Sequence, residues 1–338
     1  MDPLFSIVVP LLDEEPYVER LARSLLEQDY PKERYEIIMA DGGSKDRTLA
    51  VIEAVDTGRR IRVIRNPGRT APAALNLAIA EARGEIITRV DAHSRVAPDY
   101  LARIAAVMRE TGESVVGGPV MMDTDTPFRE ALVQALYSPV GVGSVPYRTL
   151  RRRTYVESLQ TGSFRREVLE RVGPFDESLA VVEDLDMNTR IRKAGYRLLL
   201  DPSIRFWYSP RPNLRALWKQ IFTVGRVKAW ILGKHPDIFK VKYVLPSVAV
   251  LALGGSLAAI AGAALGGPLP AGALGAGILG AYVIAVAGFA ASRAPKLGAG
   301  ALRLLAILPT LHVGYGLGFL LGAVELPGRP RSKTTRAA

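Results

Sequence analysis

Apolar and polar positions alternate in two rhythms along the first 90 residues. Short apolar runs at Ser6–Leu12, Tyr35–Met39, Ile61–Ile64 and Glu85–Val90 read as strands. Between them lie Tyr17–Glu27 (Val18, Leu21, Leu25), Thr48–Val55 and Ala73–Ala82, whose spacing predicts helices. Strand and helix taking turns predict an α/β fold with a mostly parallel, Rossmann-like sheet covered by helices on both faces.

Past Lys240 the rhythm stops. Val241–Gly266 and residues 268–292 and 301–324 are apolar for longer than the roughly 20 residues a bilayer crossing needs. About three transmembrane helices are therefore expected over 241–326, following a catalytic domain at 1–205 and an amphipathic membrane-interface segment at 206–240. Trp207, Trp218 and Trp230 stand among Arg and Lys in that interface segment, and a basic tail, 327–338, closes the chain. Gly314, Gly318 and Gly322 recur every fourth position, as where helices pack backbone to backbone.

Charge adds an orientation and a list of partners. The N-terminus has neither a basic n-region nor a long apolar core, so no signal peptide is expected and the N-terminal domain stays cytoplasmic, on a bacterial-type inner membrane crossed several times. Arg293, Lys296 and Arg303 obey the positive-inside rule, but a third crossing would leave Arg329, Arg331, Lys333 and Arg336 outside. A formal net charge of +11 suits an anionic leaflet and phosphate-bearing ligands, making nucleic acid an unnecessary partner. With no cysteine, disulfides and thiolate metal sites are excluded.

The candidate chemistry sits where strands end on carboxylates, at Asp41 in DGGSKD and at Asp91 with His93 in VDAH. Neither GxGxxG nor GxxxxGK[ST] occurs, so phosphates must be held another way. In an extended chain Asp91 and His93 would point to one side and could hold Mn²⁺ or Mg²⁺ bridging a diphosphate. Asp41 could accept from a base or ribose, or serve as a turn residue beside the helix caps Ser44 and Asp46. Glu14 has two readings as well, ribose contact or helix N-terminal charge. Glu183-Asp184 opens a helix in which Asp186 and Arg190 can pair; Asp184 is a candidate general base or simply an exposed acidic start. Arg151–Arg153 and Arg165-Arg166 read chiefly as solvated charge, and His312 as a packing residue.

In combination these motifs resemble inverting family 2 glycosyltransferases of the GT-A fold. Pro10-Leu11-Leu12-Asp13-Glu14 looks like their PxxNE, DGGSKDRT like their DGSxD, Asn66–Asn76 like their Asn-Pro…Leu-Asn segment and VDAH like their DxD. TGSFRREVLERVGPFDE and VVEDLDMNTRIRKAGY are similar to their acceptor region and its ED-containing helix. Within the family, VDAH, PRPNLRALWKQIFTVGR and LHVGYGLGFLLG look most like ExoA-type enzymes of succinoglycan biosynthesis.

The resemblance implies that Pro10, Glu14, Asp41, Asn66, Asn76 and Asp91 bind a UDP- or GDP-sugar and that Asp91 and His93 hold the metal. It makes Asp184 the base and puts Gly162, Glu183, Arg211, Gln220 and Arg226 near the acceptor or diphosphate. Two departures matter: His93 replaces an Asp of DxD, and Thr223-Val224 replace the Arg-Trp of QxxRW, which disfavours processive synthesis. The expected activity is non-processive transfer to a polyprenyl-diphosphate-linked saccharide in exopolysaccharide or cell-surface glycan assembly. Transfer onto polyprenyl phosphate, as by dolichyl-phosphate mannose synthases, and a catalytically silent binding protein stand as alternatives.

Overall fold

In the computed structural model, which describes residues 2–141 and 152–326, the alternation becomes a sheet. Strands β1 (Phe5–Leu11), β2 (Tyr35–Asp41), β3 (Ile61–Arg65) and β4 (Ile86–Arg89) run parallel in the order β3-β2-β1-β4. β1 is buried on both faces: Phe5, Ile7 and Val9 pack with Leu21 and Leu25, while Val8 packs with Ile38, Leu75 and Ala78. Covering both faces with helices requires such near-continuous apolar strands. Helices Glu15–Leu26, Thr48–Val55 and Ala71–Ala80 lie within two residues of their expected bounds.

Later strands are β5 (Ser94–Val96), β6 (Val115–Gly117), β7 (Val120–Met122), β8 (Thr154–Val156), β9 (Ser163–Arg165), β10 (Leu198–Leu200) and β11 (Phe206–Tyr208). β9 enters antiparallel between β4 and β6, and the eight-stranded sheet ends on β10 and β8. A small sheet orders β5-β11-β7. Phe206, 1% exposed, is therefore core, and Phe206–Tyr208 form a strand rather than the start of a membrane-interface segment.

The chain packs as two compact units, Met1–Met122 with Pro146–Ser209, and Asp123–Val145 with Pro210–Ala338. That division departs from a catalytic block running unbroken to residue 205. The reason is helix Pro127–Leu136, whose Ala131, Leu132 and Ala135 are buried with Leu217, Leu304, Ile307 and Leu308 in a core of the second unit.

The second unit also contains helices Leu214–Lys234, Leu245–Ala264, Leu269–Leu297 and Leu304–Glu325. Two of the every-fourth glycines of the last one, Gly318 and Gly322, face a helix backbone, that of Leu214–Lys234, while Gly314 faces the Ile221 and Trp218 side chains. A Cβ on Gly318 would come within 2.0 Å of the Phe222 carbonyl oxygen, and one on Gly322 within 2.2 Å of that of Arg226. Trp218 meets Gly314, Phe222 meets Gly318 and Arg226 meets Gly322, so the two helices run parallel in constant register. Arg226 then reaches Glu325 through two hydrogen bonds of 2.8 and 2.7 Å.

Gly318→Ala should lower Tm in detergent by the equivalent of roughly 1–3 kcal/mol, the usual cost of overpacking. Gly277→Ala, where an added Cβ meets nothing within 4 Å, should not. Equal melting of the two variants would contradict the close helix pair.

Candidate active site

Parallel strands that stop in register deliver their loops to one edge. Leu11 pairs with Asp41 at the ends of β1 and β2, and the two loops beyond are fastened to each other. Ser44 Oγ accepts from the Asp13 N–H at 2.9 Å, Asp13 Oδ1 accepts from the Lys45 N–H at 2.7 Å, and Asp46 Oδ2 accepts from the Glu15 N–H at 3.0 Å. Asp13 adopts φ 54°, a conformation its short polar side chain tolerates.

Asp41 is buried, and its carboxylate accepts from Gly43 N–H (2.9 Å) and from the backbone and hydroxyl of Ser44 (hydroxyl 2.6 Å). Its backbone carbonyl accepts from the Asn66 N–H at 2.7 Å, which links in the third loop. Asn66 closes that loop on Gly68 and Thr70. Asn76 spends its amide on Phe175 and Glu177, tying helix Ala71–Ala80 to the segment before the acidic helix. Asn66 and Asn76 thus build walls. Pro10 lies in β1 opposite Ala40.

The extended-chain argument for Asp91 and His93 does not hold. Ser94 N–H donates to the Asp91 carbonyl at 3.0 Å, so the chain turns there and the two side chains meet different neighbours. His93 Nδ1 lies 3.4 Å from Glu14 Oε1 without a hydrogen bond, its ring edge-on to Tyr208 with centroids 4.6 Å apart.

Asp91 turns instead to an arginine that the sequence reading passed over. Arg89, buried at the end of β4, donates Nε–H to Asp91 Oδ1 at 3.1 Å and Nη2–H to Glu183 Oε1 at 2.5 Å. Burial alone would lower the guanidinium pKa; Asp91, Glu183 and Asp184 outweigh it and hold the group above the ordinary arginine value. The signal was present: a lone arginine in Ile86-Ile87-Thr88-Arg89-Val90, a strand due to be covered on both faces, has to be paired.

Glu183 and Asp184 open helix Glu183–Lys193, where the N-terminal dipole favours carboxylates. Val182, just before, is held at φ 62°. A β-branched residue there costs about 1–3 kcal/mol and persists only where its surroundings impose it, commonly at functional sites. Asp186 and Arg190 pair at 2.9 Å, as expected. Gly162 accepts from the Arg89 N–H through its carbonyl at 3.1 Å and lines a crevice with Arg89 and Asp184. The first unit thus brings Asp91, Glu183, Asp184 and Gly162 together around Arg89. Arg211, Gln220 and Arg226 belong to the second unit, where Arg226 is paired with Glu325.

Among the described residues no three of His, Cys, Asp and Glu converge as a self-sufficient metal cluster. The donors fit an ion held partly by its substrate, since Mg²⁺ commonly takes one or two protein carboxylates and completes its shell with phosphate oxygens and water. Asp91 supplies such a carboxylate, and His93 Nδ1 is a buried nitrogen without a hydrogen-bond partner.

Residues 6–173 match the family model described as Glycosyl transferase family 2. The chain is 32% identical over 258 residues to "Succinoglycan biosynthesis protein ExoA" of Rhizobium meliloti (strain 1021), covering 75% of this chain and 78% of that one. It is 24% identical over 249 residues, 71% of this chain and 77% of the other, to a Methanococcus voltae "Dolichyl N-acetyl-alpha-D-glucosaminyl phosphate 3-beta-D-2,3-diacetamido-2,3-dideoxy-beta-D-glucuronosyltransferase". "Mannosyltransferase PcManGT from Pyrobaculum calidifontis in complex with GDP-Man and Mn2+" shares the fold, with TM-score 0.58 and 22% identity over 92% of this chain and 87% of that one. The fold is GT-A, that of enzymes using nucleotide sugars. The chain belongs to glycosyltransferase family 2.

If Asp91 holds a metal, Asp91→Asn should reduce transfer by at least ~10²-fold, because the ion would supply several kcal/mol of charge stabilisation to a departing diphosphate. His93→Ala should be milder. Nucleoside diphosphate release in Mn²⁺ measures both; full activity of Asp91→Asn would remove Asp91 from the site.

Proposed function

We propose that this enzyme moves one sugar, with inversion, from a UDP- or GDP-sugar to a polyprenyl-diphosphate-linked saccharide at a membrane, without processive elongation. The observation that carries the reading is the buried Arg89, which holds Asp91 at the end of β4 against Glu183 at the start of the acidic helix. It keeps a candidate metal carboxylate and a candidate base, Asp184, in one rigid frame.

In this reading Glu14 and Asp41 meet the nucleoside in the fastened loops after β1 and β2. Asp91, with His93 nearby, would hold Mn²⁺ or Mg²⁺; bound there, the ion supplies positive charge to the departing diphosphate. Asp184 accepts the proton of the attacking hydroxyl, which leaves the nucleophile oxygen free to displace the nucleotide in line. The relative at 32% identity carries a name from succinoglycan biosynthesis, which supports a role in polysaccharide assembly, and the Methanococcus voltae relative is named for a dolichyl-phosphate-linked sugar, which supports a lipid-linked acceptor.

The membrane part of the proposal rests on exposed apolar surface. Leu245–Ala264 and Leu269–Glu325 have windows of mean hydropathy 1.9 and 2.0 that are only 11% and 17% buried within the fold. Leu251, Leu274 and Ile284 are 61%, 67% and 72% exposed, a surface suited to lipid tails.

Asp184→Asn should lower turnover by about 10²-fold or more while donor affinity stays near wild type. Membrane extract supplied with a panel of nucleotide sugars, and mass spectrometry of the glycolipid formed, identify donor and acceptor. Undiminished turnover of Asp184→Asn would exclude it as base and favour a phosphate acceptor, which needs little deprotonation. Recovery of the intact chain in the soluble fraction would exclude membrane attachment.

A further inference from the structure

The guanidinium of Arg89 has one nitrogen left over. Nε and Nη2 are committed to Asp91 and Glu183, whereas Nη1 is buried and makes no hydrogen bond. With 8% of the side chain exposed, bulk water cannot reach it freely, and an unmet charged donor in the interior is costly. Arg89 also lines a narrow, partly open crevice, shared with Gln160, Gly162, Phe175, Asp184 and Asn188. Gly162 packs closely there, since an added Cβ would come within 2.6 Å of the Phe164 ring.

Charge selects the occupant. The single guanidinium stands among three carboxylates, those of Asp91, Glu183 and Asp184, so an anionic oxygen is repelled. The favoured group is neutral, accepts from Nη1 and can itself donate to a carboxylate; a hydroxyl has both capacities.

We propose that this crevice is a sugar-hydroxyl subsite in which Arg89 Nη1 donates to a hydroxyl oxygen of the donor sugar or of the acceptor saccharide. The inference rests on the glycosyltransferase reading above and adds to it a specificity-determining contact. Arg89→Gln removes the charge and the fork; Arg89→Lys keeps the charge beside the carboxylates but loses Nη1, and serves if the first variant does not fold. Calorimetry in Mn²⁺ compares UDP with UDP-glucose and UDP-galactose, and GDP with GDP-mannose, while kinetics with alkyl glycosides give the acceptor KM.

For a donor-sugar hydroxyl, the affinity gained by the sugar nucleotide over its nucleoside diphosphate should fall roughly tenfold or more in Arg89→Lys, the worth of a hydrogen bond to a charged group. For an acceptor hydroxyl, that gain persists and the acceptor KM rises by a similar factor. Asp91→Asn, by contrast, should weaken nucleotide and sugar nucleotide alike. The subsite is overturned if Arg89→Lys changes neither quantity, or if it weakens UDP and UDP-sugar equally, since Arg89 would then only position Asp91. Failure of wild-type protein to bind any nucleotide sugar overturns the underlying reading and the subsite with it.

Discussion

The buried ion-paired network of Arg89 with Asp91 and Glu183 is the interaction on which the proposed chemistry of the first unit depends. Taking a guanidinium and two carboxylates out of water is expensive, and such a set is seldom the cheapest way to stabilise a core. What it supplies is geometry. Arg89 ends β4 while Glu183 begins a helix 94 residues further on, and the 2.5 Å bond between them fixes the acidic helix against the strand end. The strained Val182 at φ 62° suits the same constraint, since the chain must turn sharply to present Glu183 and Asp184 there.

Hydrogen bonds between loops do comparable work at the other strand ends. Asp41 holds its own turn through Ser44 and receives Asn66 from the next loop, and the Asp13–Asp46 exchanges stitch the first two loops together. In the proposed reading a nucleotide entering here would meet a surface organised by short side chains on a rigid sheet, the arrangement expected where open α/β sheets bind ligands beyond the carboxyl ends of their strands.

The strand-helix rhythm made the first sheet legible, because period and burial coincide: Thr48–Val55 falls on its predicted bounds and Ile61–Arg65 within one residue. The antiparallel entry of Ser163–Arg165 was hidden, for three residues carry no period and their pairing is set by distant partners. Asp91 and Glu183 were legible as residue types beside a motif, but their connection was not, since it passes through Arg89 and spans 94 positions. Helix Pro127–Leu136 was missed as part of the second unit because composition reports which solvent a segment tolerates, not which core it joins.

Parallel, backbone-close packing of Leu214–Lys234 on Leu304–Glu325 ties the inclination of the two helices together. Helices touching at Gly314, Gly318 and Gly322 cannot be one upright and one flat in a bilayer. Leu214–Lys234 carries Arg215, Lys219, Arg226, Lys228 and Lys234, a load suited to the headgroup layer and costly in hydrocarbon. Whatever layer Leu214–Lys234 occupies, Leu304–Glu325 shares it along their contact, so an apolar helix is held at the depth that its charged neighbour tolerates.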